Sequence, residues 1–135
     1  MAIFTGPHAY ISPSWYEMHP SVPTWNYTVL HAYGKGKLLD TRATLALLKT
    51  LVDQYESGRQ IPIPWRMEGL PNDYVEKMVG AIVGFEIAVE RIDCKFKLSQ
   101  NRPAADKQGV IAALNQSTPT DQEVAAFMER ARKSG

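Results

Sequence analysis

The chain has 135 residues, 44% of them hydrophobic and 21% charged, which is an ordinary composition for a soluble globular domain. Its 15 basic and 14 acidic residues give a formal charge of +1, so no overall field draws the protein to nucleic acid or membrane. The single cysteine, Cys94, excludes an internal disulfide and fits a reducing compartment. Because the sequence has neither a basic leader nor an apolar run of about 18 residues, we expect a cytoplasmic protein without a membrane span.

The N-terminal residues predict two short strands. Residues 2–4 are apolar and are typical of a buried strand, which Gly6 and Pro7 then interrupt. Residues 8–12 predict a second extended run, and a loop rich in proline and aromatic residues follows it. Two separate strands are therefore expected before the first long one.

Residues 25–39 predict a long strand. Residues of odd number in its first half share one face, and residues of even number share the other. Trp25 and Tyr27 are therefore expected on the face opposite Asn26.

Two helices separated by a loop come next. Asp40 or Thr41 caps a helix that runs to about Glu56, with apolar residues at helical spacing. Residues 59–71 contain three prolines and predict a loop. Residues 72–79 predict a short helix that ends before a glycine.

Two further strands and a turn are predicted in the last third of the chain. Residues 83–90 alternate between apolar and small or acidic residues, which indicates a half-exposed strand. A tight turn at residues 93–94 would lead into a strand over residues 95–98. This gives about five strands in all.

The C-terminal residues predict two helices. The first runs from Pro103 to about Leu114, and a capping box formed by Thr120 and Glu123 opens the second, which covers about residues 118–133. The fold class expected is mainly β with flanking α-helices, an antiparallel sheet or barrel in a single domain over residues 1–135.

A polar cluster lies where the last predicted strand ends and a helix begins. It contains two cations, a hydroxyl and two amides: Lys97, Ser99, Gln100, Asn101 and Arg102. A helix N-terminus adds unpaired N–H groups and a positive dipole end to such a place. An anion site is one interpretation, and a solvated strand end with a capping amide is the other. The spacing leaves both open.

The segment at residues 24–27 combines rings with polar groups at the start of the long strand: Thr24, Trp25, Asn26 and Tyr27. Such a segment could form a shelf for a flat heterocycle, and aromatic core packing is the alternative. His8 and His31 have no partner at metal-ligand spacing, so packed side chains are expected there and no metal site is predicted.

Several segments together resemble the PaiB-like family, named FMN-binding negative transcriptional regulators. The segments that carry the resemblance are FTGPHAYISPSWY at 4–16, VPTWNY at 22–27, HAYG at 31–34, IVGFEI at 82–87 and KLSQNR at 97–102. They occur in order over about residues 3–114.

The resemblance implies a split β-barrel of the flavin-reductase type that forms a homodimer, with FMN at the subunit interface. On this interpretation Lys97 and Arg102 neutralise the phosphate, Ser99, Gln100 and Asn101 supply hydrogen bonds, and the 24–27 segment contacts the ring. Family members carry a substantial segment before the first motif, so we expect an N-terminally short version, a partial barrel and an incomplete FMN site.

Three functional hypotheses follow. The first is a bacterial transcriptional regulator of the PaiB type that binds FMN. The second is a flavin-dependent oxidoreductase of the same fold, or a haem-binding protein with His8 or His31 as ligand; no acid or base stands out to favour catalysis. The third is an interaction module without a cofactor. Direct DNA binding follows only from the family name, because the charge is nearly neutral and no basic recognition helix is present.

Overall fold

The computed structural model describes residues 1–59 and 63–133. The chain divides into two compact units. The first unit consists of Met1–Tyr33 and Glu90–Gly135, and the second of Gly34–Val89. The candidate site lies entirely within the first unit.

Three strands form one sheet in the order β1-β2-β3. Their bounds are Ala2–Ile11 for β1, Thr24–Leu38 for β2 and Phe85–Lys97 for β3. β1 pairs with β2 in antiparallel register, so that Ala9 lies opposite Asn26 and Tyr10 lies opposite Trp25. The long strand predicted at residues 25–39 is confirmed.

The two short N-terminal strands are one strand, so the sequence-based prediction of a break was wrong. The pairing with β2 shifts between Thr5 and His8, and the chain continues in the same strand beyond the shift. A β-bulge leaves a residue unpaired, so Pro7, which has no N–H to donate to the neighbouring strand, can stay within β1. Gly6 is needed there because a Cβ atom would lie 2.1 Å from Thr28 Oγ1.

The turn predicted at residues 93–94 is also absent. Residues 85–97 form the continuous strand β3, and the strand starts two residues later than predicted. Asp93 has low strand propensity, but pairing with β2 overrides propensity, and its carboxylate forms an ion pair with Arg91 on the exposed strand surface. The described residues therefore contain three strands, where about five were predicted.

The described residues contain four α-helices: α1 at Thr41–Ser57, α2 at Asn72–Val79, α3 at Ala104–Asn115 and α4 at Pro119–Lys133. The predicted cap of α1 is confirmed, because Asp40 Oδ1 accepts a hydrogen bond from the Ala43 amide at 2.7 Å. Within the predicted loop, residues 67–69 form a short 3-10 helix, and residues 60–62 lie outside the described residues.

Thr120 and Glu123 do not form the predicted cap of α4, because the helix begins at Pro119 and its cap lies two residues before Thr120. Thr118 Oγ1 accepts from the Asp121 amide at 3.3 Å and donates to Asp121 Oδ2 at 2.9 Å. Pro119 is the first residue of the helix, a position where its missing N–H costs nothing. Thr120 therefore lies inside the first turn, and Thr118 is the cap.

The core of the first unit consists of ten buried residues from the sheet, the loop after β1, and helices α3 and α4: Ala9, Ile11, Tyr16, Leu98, Val110, Ile111, Leu114, Val124, Ala125 and Met128. Helix α4 packs on β1. We call the sheet face that carries Ala9, Ile11 and Asn26 the covered face, and the opposite face, with Tyr10 and Trp25, the open face.

The fold class is mixed α/β. The four helices together contain more residues than the three strands, so the prediction of a mainly β protein with flanking helices holds only for the antiparallel sheet and the presence of the helices. The sheet is small and open in the part of the chain that the structure describes.

Candidate functional site

A cavity of about 200 Å³ lies beside the start of β2 and the end of β3. It is lined by residues of the loop before β2, of β2 itself and of the segment after β3: Tyr16, Val22, Pro23, Thr24, Asn26, Lys97, Ser99, Asn101 and Arg102. The fold thus brings six of the nine predicted site residues to one cavity, although two sequence segments supply them.

Lys97 and Thr24 join the two segments at the cavity. The Lys97 ammonium donates a hydrogen bond to Thr24 Oγ1, across 73 positions of sequence. Lys97 is the last residue of β3 and Thr24 is the first of β2, so strand pairing places both side chains at the same end of the sheet. An ammonium keeps three donors, so Lys97 can bind an anion while it remains bonded to Thr24.

Arg102 is held on three sides. Its guanidinium carbon lies 4.1 Å from the centre of the Tyr16 ring, a cation–π contact worth about 0.5–2 kcal/mol. Its Nη1 donates to Ser21 Oγ at 3.1 Å and lies 3.7 Å from Asp106 Oδ2. The guanidinium is thus oriented at the cavity wall before any ligand is present.

Asp106, in the first turn of α3, contacts both Arg102 and the loop after Tyr16. The residue is 1% exposed, and its Oδ1 accepts hydrogen bonds from the amides of Glu17 and Met18 at 2.9 and 3.1 Å. Within the described residues, Oδ2 has no hydrogen-bond partner, and its ion pair with Arg102 is its nearest charge contact. Asp106 therefore fixes the loop after Tyr16 and balances part of the positive charge of the site.

Asn26 and Ser99 form a buried polar pair on the covered face. Asn26 Nδ2 donates to Ser99 Oγ at 3.0 Å and to Met128 Sδ at 3.4 Å, and Asn26 is fully buried. Ser99 has a φ of 59°, in the left-handed region that a non-glycine residue occupies at a cost. The strained turn after β3 aims Ser99 at Asn26 and forms one wall of the cavity.

Gln100 and Asn101 have different places. Gln100 Oε1 accepts a hydrogen bond from the Leu98 amide at 2.8 Å, and its Nε2 donates one to the Phe96 carbonyl at 2.5 Å. The side chain of Gln100 is therefore bonded to backbone groups at the end of β3. Gln100 does not line the cavity, whereas Asn101 does.

Trp25 and Tyr27 are separated from the cavity by the sheet. Trp25 is 52% exposed on the open face, where its ring centre lies 6.0 Å from that of His8 and 5.9 Å from that of Tyr10. A second hollow of about 380 Å³ runs along this face, lined by Thr5, Gly6, His8, Trp25, Tyr27, Thr28 and Val29. These rings and the Lys97–Arg102 segment cannot contact the same small part of one ligand within one chain.

Sequence reasoning missed Tyr16 and Asp106 as parts of the site. Tyr16 is 4% exposed, lines the cavity and has a hydroxyl without a hydrogen-bond partner among the described residues. In the sequence, Tyr16 belongs to a loop rich in proline and aromatic residues, and nothing there marks it as part of the site. An aspartate in the first turn of α3 is ordinary helix chemistry, so nothing local distinguished Asp106.

Among residues 1–59 and 63–133, no group of three or more His, Cys, Asp or Glu side chains could hold a metal ion. No helix in this described part is long and apolar enough to cross a membrane.

The family of this chain follows from its similarity to known proteins. Residues 1–91 match the family model described as "Putative FMN-binding domain". The chain belongs to this family. The matched region includes the 24–27 segment and ends before the 97–102 segment.

Three similar proteins extend the comparison. "Protease synthase and sporulation protein PAI 2" of Bacillus subtilis is 41% identical over 130 residues, which cover 96% of this chain and 61% of that protein. Uncharacterized proteins of Aspergillus fumigatus and Emericella nidulans are each 34% identical, over 82% and 83% of this chain and 50% of theirs. The chain thus spans half to about three fifths of the length of these relatives, and the resemblance to the PaiB-like family is confirmed.

Proposed function

We propose that this protein binds FMN and that the cavity beside Lys97 and Arg102 holds the phosphate. The observation that carries the proposal is the convergence of two cations with hydroxyl and amide groups at one cavity, in a chain of an FMN-binding family. Phosphate oxygens accept strong hydrogen bonds from guanidinium and ammonium groups.

The donor set fits a phosphate in chemistry and in size. Lys97 and Arg102 supply positive charge, and Thr24 and Asn101 supply hydrogen bonds. Ligand pockets for whole drug-sized molecules measure about 300–1,000 Å³. A cavity of about 200 Å³ is therefore suited to the phosphate end of FMN, with the ring outside it.

The flavin ring needs a second surface, and we infer that a second copy of the chain provides it. Trp25 and Tyr27 lie on the open face, so they can flank only a ring that belongs to the partner's flavin or that reaches beyond the sheet edge. Within β3, Phe85 and Val89 share one face of the strand and are large exposed apolar residues. Such surfaces mark interaction sites. The proposal is a homodimer in which two small sheets together make the split barrel.

FMN supplies redox-active ring chemistry when it is bound. The relative named for protease synthesis and sporulation suggests that this chain, too, acts in regulation, in the manner of the PaiB-like family. The proposed role is flavin-dependent regulation in the cytoplasm, and direct DNA contact follows only from the family name because a net charge of +1 does not support it.

Titration of the purified protein with FMN and with riboflavin, followed by flavin fluorescence, tests the proposal. FMN is expected to bind at least about tenfold more tightly, because riboflavin lacks the phosphate. Arg102→Ala should weaken FMN binding by about 1.5–3 kcal/mol, the worth of a charged hydrogen bond, and leave riboflavin binding unchanged.

Lys95→Ala is the matched control. Lys95 is exposed on the same strand as Lys97 and does not line the cavity. It should bind FMN as the wild type does, whereas Lys97→Ala should not. Equal affinities for FMN and riboflavin, or no flavin binding at all, would contradict the proposal.

A further inference from the structure

Side chains of the protein itself orient the Arg102 guanidinium. Within the described residues, its hydrogen bond to Ser21 and its ion pair with Asp106 both use the same nitrogen, Nη1. A guanidinium carries five donors in a planar fork. The Nε and Nη2 atoms form the other edge of that fork and are the pair able to bind two oxygens of one phosphate.

The Tyr16 ring covers one face of the same guanidinium. The distance of 4.1 Å from the guanidinium carbon to the ring centre is that of close stacking. Tyr16 is itself fixed, because it is 4% exposed and belongs to the core cluster with Leu98 and Val110. A planar cation on a fixed ring loses little freedom when it binds a ligand, and reduced ordering cost raises affinity.

We propose that Tyr16 is a positioning residue that presets Arg102 for bidentate binding of a phosphate monoester. The inference rests on the proposed function for the choice of FMN, but the phosphate chemistry can be tested without a flavin. It predicts that the ring of Tyr16, and not its hydroxyl, determines affinity. It also predicts that Lys cannot replace Arg at position 102, because an ammonium neither stacks as a plane nor binds through two nitrogens.

The experiment uses isothermal titration calorimetry of the full chain with inorganic phosphate, FMN and riboflavin. Tyr16→Leu is expected to weaken phosphate and FMN binding about tenfold and to leave riboflavin binding unchanged. The conservative variant Tyr16→Phe should restore binding to within about twofold of the wild type. In an Arg102→Ala background, Tyr16→Leu should cause no further loss, since a positioning residue acts only through its partner.

Arg102→Lys keeps the test decisive if Tyr16→Leu fails to fold, because Arg102 is outside the core cluster. It should bind phosphate about as weakly as Arg102→Ala. Tyr55→Leu, at a tyrosine of α1 that is 68% exposed, is the matched control for loss of an aromatic ring.

The outcomes separate this inference from the flavin proposal. Phosphate binding with the predicted pattern, but no FMN binding, supports the inference and refutes the flavin proposal. FMN binding that equals riboflavin binding, together with the predicted pattern for inorganic phosphate, likewise refutes only the flavin proposal. A Tyr16→Leu effect of equal size with and without Arg102, a Tyr16→Phe loss as large as that of Tyr16→Leu, wild-type affinity in Arg102→Lys, or no phosphate binding by the wild type overturns the inference.

Discussion

The two faces of β2 have opposite characters, and each departs from the usual arrangement of a sheet. On the covered face, Asn26 is fully buried and is satisfied by Ser99 and Met128. On the open face, the neighbouring Trp25 is 52% exposed. Burying an amide and exposing an indole both cost stability. The difference is that one face buries polar groups beside a cavity and the other leaves a large ring exposed, which is what the proposed phosphate site and the proposed homodimer each require.

The largest expected effect is a loss of folding stability on removal of Asp106, which contacts the cavity residue Arg102. Asp106→Ala should lower the free energy of unfolding by about 3–5 kcal/mol, because it leaves the amides of Glu17 and Met18 without their acceptor and Arg102 without its ion-pair partner. Urea denaturation measures this change. Asp106→Asn keeps an acceptor oxygen and should lose about half as much. A loss below about 1 kcal/mol in Asp106→Ala would show that the cavity wall does not depend on this carboxylate.

The second prediction tests the open face. Trp25→Ser should raise the dissociation constant of the proposed homodimer by about 30-fold, the effect of losing an aromatic hot spot worth about 2 kcal/mol. The monomer should lose little stability, because the ring is 52% exposed. Sedimentation equilibrium measures the first quantity and dilute thermal unfolding the second. If the protein is monomeric at all concentrations, the assignment of this face to a second copy is wrong.

A smaller effect is expected at the turn after β3. Ser99→Ala and Ser99→Gly both lose the bond to Asn26, but only glycine relieves the φ of 59°. The glycine variant should therefore be more stable than the alanine variant by about 1 kcal/mol. Chemical denaturation of the two variants side by side gives the difference. Equal stabilities would mean that the turn relaxes without strain.

The smallest effect concerns the cap of α4, the helix that covers the sheet. The hydroxyl of Ser117, and then Thr118, donate hydrogen bonds to Asp121 and hold the pKa of its carboxyl below the usual 3.8. Because the folded pKa is the lower one, this contribution is present above the unfolded value and is lost as the pH falls through the folded value.

Asp121→Asn should accordingly reduce the loss of thermal stability between about pH 6 and about pH 3. The comparison is made by differential scanning calorimetry, with Asp73→Asn in α2 as the control for removal of a helix N-terminal carboxylate. An unchanged pH dependence in Asp121→Asn would exclude a role for this cap.

Local signals in the sequence predicted the helices well. The start of α1 follows from Asp40, whose carboxylate caps the first turn, and α2 ends before Gly80 as expected. The strands were harder, because pairing decides where a strand continues. Pairing with β2 keeps β1 extended across Gly6 and Pro7 and keeps β3 extended across Asp93. No local sequence pattern reveals those pairing partners.

The candidate site was predictable only in part, for the same reason. Alternation along β2 correctly placed Trp25 and Asn26 on opposite faces, so the two could not both line one cavity. The contact of Lys97 with Thr24 spans 73 positions and depends on strand register. Tyr16 and Asp106 enter the site through the packing of a loop against α3, which a sequence pattern does not encode.

A crystal structure of the full chain grown with FMN is the most direct measurement. We predict phosphate density between the Lys97 ammonium and the Nε–Nη2 edge of Arg102, with the Arg102 guanidinium still stacked on Tyr16. Phosphate density away from Lys97 and Arg102, or a flavin held only through its ring on the open face of its own chain, would contradict the proposed phosphate site.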